Sequence, residues 1–311
     1  MSNSLKLSVS PHIHSGNSTR RIMLDVLIAL LPTTIAGAII FGWKSLLVVA
    51  VCVASCVGFE AIFNLIVKKK QTIGDLSAAV TGLLLALNLP ANVPLWQCVI
   101  GSLFAIVVVK CLFGGIGCNP VNPAITARVF MLVAFGSMAQ VATPVVVDTV
   151  SSATPLSLEA GAELPSVAEL LLGLRGGAIG EVCVLALLIG FVYLLARRVI
   201  TWHIPVTFIG TVFVASLFME NMNVQSALIM TLSGGLFLGA IFMATDYVTS
   251  PATAWGKIIF GVGAGLITFL IRYFGAYPEG VSFAILLMNI LTPYIDSWTK
   301  HKILVSGGKK A

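Results

Sequence analysis

The residues of this chain best suited to chemistry are hydroxyls, amides and a few acids set in a strongly apolar background. Asp148, Ser151, Ser152 and Thr154 crowd one short stretch, with Ala153 and Pro155 beside the last hydroxyl. They lie in the longest polar interruption, between residues 138 and 177. A connection of about 40 residues is far longer than usual, so function or disorder is its default meaning. A hydroxyl can carry a phosphoester, but Ser/Thr-rich loops are common, and residue types alone do not single out Thr154.

Two other stretches combine breaks with polar groups: Gly114–Pro123, which holds two Asn-Pro pairs, and Ala244–Pro251. Glycine permits close approach, and the residue before proline leaves the helical region, so both read as points where helices end or begin. Tight re-entrant turns explain them without a ligand. The glycines of the first resemble a phosphate cradle only weakly, because no Walker lysine follows. Arg128 falls inside an apolar segment, where an unpaired cation is costly, so pairing, snorkelling or an anionic ligand group would account for it. Asp25, four residues after Arg21, reads as its helical partner. Asp75 and Asp246 stand at the ends of apolar segments, either as members of an ion path or as plain interfacial carboxylates. His12 and His14 have no nearby cysteine or further histidine, which argues against a metal site. The cysteines (Cys52, Cys56, Cys98, Cys111, Cys118, Cys183) read as small buried hydrophobes, with an iron–sulfur role for Cys111 and Cys118 the weaker alternative.

The elements that must position these groups are membrane helices. Hydrophobic residues make up 58% of the chain and charged residues 10%, against roughly 25% charged in soluble domains. A bilayer span takes about 20 apolar residues. Ten candidate spans follow, at about 22–41, 45–67, 76–91, 95–113, 121–137, 178–197, 204–220, 225–244, 256–274 and 280–296. Spans three and five are short and flanked by Pro90, Pro94, Pro120 and Pro123, which predicts broken or half-crossing helices. Residues 1–21 form a polar arm with no cleavable signal peptide expected, and 298–311 a basic tail. With the N-terminus inside, fourteen Lys and Arg residues face the cytoplasm and three (Lys44, Arg175, Arg272) the other side. That bias places both termini in the cytoplasm and the 138–177 loop outside. The net charge of +6 therefore describes topology, and no nucleic-acid partner is expected.

The halves also resemble each other. Trp43 pairs with Trp202, Glu60 with Glu220, Val53-Ala54-Ser55 with Val214-Ala215-Ser216, and Leu76-Ser77 with Leu232-Ser233. Trp96 pairs with Trp255 and Gly117-x-x-Pro120 with Gly275-x-x-Pro278, all at offsets of 156 to 161. Six matches in order predict a duplicated unit of five spans, and an odd number requires the second copy, 178–297, to be inverted relative to the first, 22–137.

The pattern from Asp148 to Thr154, D-x-x-S-x-A-T, resembles the signature at which a flavin transferase esterifies FMN onto threonine. Together with Ser10-Pro11-His12, the FGGIGCNPVNPA run from Phe113, the TDYVTSPAT run from Thr245 and the FGAYPEG run from Phe274, it makes the chain similar to the RnfD family. That family is shared with the NqrB component of the sodium-pumping NADH:quinone reductase. The lack of a long N-terminal extension fits the Rnf branch better. The resemblance implies a membrane component of a ferredoxin:NAD oxidoreductase that couples electron flow to Na⁺ or H⁺ translocation. It implies FMN joined through its phosphate to Thr154, with Asp148, Ser151, Ser152 and Ala153 as the attachment motif. It further implies a non-covalent riboflavin by analogy and no catalytic residue in the chain itself. The implied partners are RnfA, RnfB, RnfC, RnfE and above all the flavin-bearing RnfG. A solute channel or transporter with inverted halves is the rival class, and a scaffold for redox proteins a third.

Overall fold

The computed structural model describes residues 18–136, 166–173, 175–275 and 280–307, with side chains to residue 299. The Asp148–Leu156 stretch lies outside the described residues. The described chain is helical and polytopic. Helix α1 (Thr19–Phe41) starts where the Ser18 hydroxyl accepts from the Arg21 N–H, and ends at Gly42 with φ 74°. Then come α2 (Trp43–Ile66), α3 (Ser77–Leu87), α4 (Leu95–Leu103, continuing as a π-helix over Phe104–Cys111) and α5 (Pro123–Ala134). A short helix, α6 (Val167–Leu172), carries a Ser166/Glu169 capping box. The second half holds α7 (Val184–Ala196), α8 (His203–Met219), α9 (Val224–Leu232), α10 (Leu236–Leu238, continuing as a π-helix over Gly239–Met243), α11 (Ala254–Phe274) and α12 (Val281–Gly307).

Each of the ten expected spans finds an apolar helix, but their lengths differ from expectation. Among the described residues, four helices are long and apolar enough to cross a bilayer (α1, α2, α11 and Val281–Thr299 of α12), and counting the bent pair α9–α10 as one span gives five. Helix α3 stops ahead of Pro90, and α5 opens on Pro123, with Asn122 Oδ1 accepting from the N–H groups of Ala124 and Ile125. These are the short helices that the prolines predict. Three boundaries depart from the sequence reading. Span eight is not continuous: α9 and α10 meet at 64° across Ser233–Gly235, where Gly234 takes φ 69°. Span six begins at Val184, because residues 175–183 form a buried irregular segment whose Ile179 and Gly180 N–H groups donate to Leu89 O and Leu87 O. Those bonds satisfy carbonyls at the C-terminal end of α3 that a helix leaves open. Helix α12 runs on through residue 298 into the expected tail.

Packing follows a repeated scheme. Helix α2 packs on α3 and α4, and α4 on α5; α8 packs on α9 and α11, and α11 on α12. Across the halves, α1 lies against α7 and α5 against α12. The apolar core between them includes Leu85, Leu87, Ile179, Leu187, Phe208 and Phe260, all fully buried. Small residues allow the close crossings: a Cβ on Gly190 would collide with Ala29 O, and one on Gly180 would stand 2.6 Å from Leu87 Cβ.

Candidate functional site

Among the described residues, three clusters of polar groups stand where helices end or bend. At the first, Lys110 on the π-helical end of α4 donates to both carboxylate oxygens of Glu60 at 3.1 Å and to Ser77 Oγ at 2.6 Å. The pair is buried, with side chains 4% and 3% exposed. Glu60 also accepts from Thr72 Oγ1 at 2.7 Å, and Thr72 in turn accepts from Asn64 Nδ2 at 3.0 Å. Ser77 donates through Oγ to Asp75 Oδ1 at 2.5 Å, and its N–H donates to the same oxygen at 2.8 Å. Asp75 thereby closes the N-terminus of α3, where a negative group is favoured by the free N–H groups. The result is a continuous polar line from Asn64 through Glu60, Lys110 and Ser77 to Asp75.

At the second break the two stretches singled out by their glycines, Asn-Pro pairs and threonines come together. Asn122 Nδ2 donates to Met243 O at 3.2 Å, linking the start of α5 to the end of α10. Asn289 of α12 bridges them, its amide donating to Thr249 O at 3.2 Å and accepting from the Asn122 N–H at 3.1 Å. Thr292 Oγ1 donates to the same Thr249 carbonyl at 2.8 Å. Beside this knot lies a cavity of about 110 Å³, whose walls include Ser77, Thr81, Lys110, Asn119, Thr245 and Asp246. At about 30 Å³ per water, it holds a few waters. It falls below the roughly 300–1,000 Å³ of small-molecule sites, so as shaped here it does not take a flavin ring. Burial raises the Asp246 carboxyl above the usual carboxylate range, against hydrogen bonds from Thr249, Asn119 and the N–H groups of Val248 and Tyr247.

The third cluster surrounds the α9–α10 bend. Arg272 of α11 donates to Met230 O at 2.7 Å and to Ser233 O at 3.0 Å, while Arg175 donates to Leu232 O at 3.1 Å and Glu181 O at 3.2 Å. Two guanidinium groups thus satisfy the open carbonyls of the half-helix α9. Tyr273 donates to Glu220 Oε1 at 3.0 Å. This cluster answers the first one: Glu220, Ser233 and Arg272 follow Glu60, Ser77 and Lys110 by 156 to 162 residues.

The structure therefore joins Asp75 to the buried Lys110–Glu60 pair and sets Asp246 on the cavity. Arg128 is buried on α5 and is engaged within the protein. Asp148, Ser151, Ser152, Ala153 and Thr154 lie outside the described residues. Asp25 does not pair with Arg21 as expected. It accepts instead from Tyr193 Oη at 3.0 Å and from Arg197 Nε and Nη2 at 3.3 Å, across the α1–α7 contact. Tertiary packing offered a bidentate partner that outcompetes a flexible i,i+4 neighbour. Lys110, counted by sequence on the cytoplasmic side, is buried, as is Arg175 of the opposite group. Cys52, Cys56, Cys98 and Cys111 are buried as small hydrophobes should be, whereas Cys118 is exposed. The Lys110–Glu60 pair escaped the sequence reading, although a lone glutamate and lysine within apolar runs was the available signal.

Comparison with known proteins gives the family. Residues 6–304 match the family model described as NQR2, RnfD, RnfE. The chain is 48% identical to the D component of the Na(+)-translocating ferredoxin:NAD(+) oxidoreductase complex of Acetobacterium woodii, over 96% of this chain and 95% of that protein. It is 37% identical to the D component of the proton-translocating ferredoxin:NAD(+) oxidoreductase complex of Clostridium ljungdahlii, over 96% and 95% of the two chains. It is 36% identical to the D component of the ion-translocating oxidoreductase complex of Salmonella arizonae, over 96% and 97%. The motifs, the broken helices and a match along nearly the whole chain converge, and the protein belongs to the NQR2, RnfD, RnfE family.

Proposed function

We propose that this chain is the RnfD component of an ion-translocating ferredoxin:NAD oxidoreductase complex, in the cytoplasmic membrane. The observation that carries the proposal is the 48% identity to such a component over 96% of the chain. The partners are RnfA, RnfB, RnfC, RnfE and RnfG, together with the lipid bilayer and a flavin transferase for maturation. Thr154 would hold FMN through a phosphoester, and the flavin would supply one- or two-electron transfer toward RnfG on the outer face. A phosphoester tether keeps the cofactor on the protein while leaving its ring chemically free. The chain's own residues hold the breaks open: Asn122 and Asn289 fix the α5–α10 crossing, and Asp75 and Ser77 fix the start of α3. Asp75, through Ser77 and Lys110, and Asp246, on the water-sized cavity, form the cytoplasmic half of the ion path in this proposal.

Ten spans in two inverted five-helix repeats are the matching architecture. Its support is the equivalence of packing pairs, α2–α4 with α8–α11 and α4–α5 with α11–α12, and of the Glu60/Ser77/Lys110 and Glu220/Ser233/Arg272 clusters. The contacts α1–α7 and α5–α12 then join equivalent helices across the pseudo-two-fold axis. The decisive experiment is peptide mass spectrometry, with ultraviolet fluorescence of the denatured band, on protein co-expressed with a flavin transferase. Wild type should carry FMN mass on the Thr154 peptide, and Thr154→Ala should carry none while still reaching the membrane. An unmodified wild-type Thr154 would refute the covalent FMN and the electron relay assigned to it.

A further inference from the structure

We propose that a recess between the start of α1 and the end of α7 binds the phosphodiester headgroup of an anionic membrane lipid. Its walls include Arg21, Asp25, Arg197, Arg198 and Tyr247, and its volume is about 120 Å³. Three arginines face one aspartate there, leaving two surplus positive charges. Asp25 already accepts three hydrogen bonds, from Tyr193 and Arg197, which spend its charge within the protein. Among the described residues, the guanidinium groups of Arg21 and Arg198 have no acceptor, and both are exposed. The recess thus has the Asp25–Arg197 pair at its base and two guanidinium groups left over.

Position and size select the ligand. The recess sits where two membrane helices end, the level at which headgroups lie, and exposed Trp202 stands a few residues beyond, stacked on His203 at 4.3 Å. Lys257, donating to Thr201 Oγ1 at 3.2 Å, adds a cation on the same side. Basic pockets between membrane helices are recognised sites for anionic headgroups. Room for about four waters suits one phosphate and not a peptide segment. Ile22, Val199 and Tyr247 wall both this recess and the cavity holding Asp246. A headgroup would sit one side-chain layer from that cavity.

The inference rests on the membrane reading of the chain and not on the flavin, so flavin content measured on the same samples separates the two. The test uses the full chain, alone or in its complex, in nanodiscs of phosphatidylcholine with and without cardiolipin or phosphatidylglycerol. Native mass spectrometry reads lipid retention and thermal unfolding reads protection. Wild type should retain the anionic lipid, while Arg21→Gln/Arg198→Gln weakens it roughly 30-fold, about five-fold per arginine near the surface. Arg21→Lys/Arg198→Lys, which keeps the charge, should recover part of the affinity and serves if the glutamine variant folds poorly. An equal loss in Lys68→Gln/Lys69→Gln would show diffuse surface charge and overturn the site. Equal protection by inorganic phosphate would assign the recess to free phosphate, and unchanged retention in both arginine variants would abolish it.

Discussion

Lys110→Met tests the buried polar line most directly. Lys110 donates to Glu60 twice at 3.1 Å and to Ser77 once at 2.6 Å, and neither charged side chain is more than 4% exposed, so solvent screening does not discount the pair. Removing the ammonium leaves the Glu60 carboxylate with Thr72 Oγ1 as its remaining donor in the hydrogen-bond line. Breaking a buried pair from one side costs about 3–5 kcal/mol, whereas replacing both partners is often neutral. Lys110→Met alone should therefore lose about 3–5 kcal/mol, and Glu60→Gln/Lys110→Met, whose amide oxygen still accepts from Thr72, should recover most of it. At roughly 2–4 °C per kcal/mol, the single variant should unfold about 6–20 °C lower. Tryptophan fluorescence during thermal unfolding in detergent reads this, and the double-mutant cycle should give a coupling of about 2 kcal/mol or more. A single variant within about 2 °C of wild type, or a double variant no better than the single, would refute the assignment of a buried, mutually dependent pair.

Further outcomes follow from particular contacts. Gly180→Ala places a Cβ 2.6 Å from Leu87 Cβ and 3.0 Å from Leu87 O; it should cost about 1–3 kcal/mol, measured as reduced thermal stability, and unchanged stability would show that the segment at 175–183 does not pack there. Asp246 has a raised carboxyl pKa from burial; a raised folded value means stability present at low pH and lost as pH rises from about 3.9 through the folded pKa. Asp246→Asn should flatten that loss in unfolding temperature against pH, and parallel profiles would count against it. Cysteine labelling after residues 70 and 300 should proceed from the cytoplasmic side and at position 154 from outside; cytoplasmic labelling of 154 would overturn both the topology and the outer flavin.

Composition and order along the chain determined the class of this protein. An apolar share of 58% with 10% charge points to a membrane chain, and apolar runs of about 20 residues satisfy their own backbone hydrogen bonds in lipid as helices. Prolines at 90, 94, 120 and 123 marked where α3 and α5 stop and start, since proline removes a donor and constrains its predecessor locally. The internal matches between Glu60 and Glu220, or Ser77 and Ser233, were likewise visible in one dimension. What they touch was not. Whether Lys110 lies at a surface or against Glu60, 50 residues away, depends on how α4 crosses α2. Asp25 found Arg197 rather than Arg21 because α1 packs on α7. The α9–α10 bend is held by Arg175 and Arg272, whose guanidinium groups reach its carbonyls from other elements. In an apolar interior a polar group is stable only beside its complement, and the chain fold alone decides which complement is near.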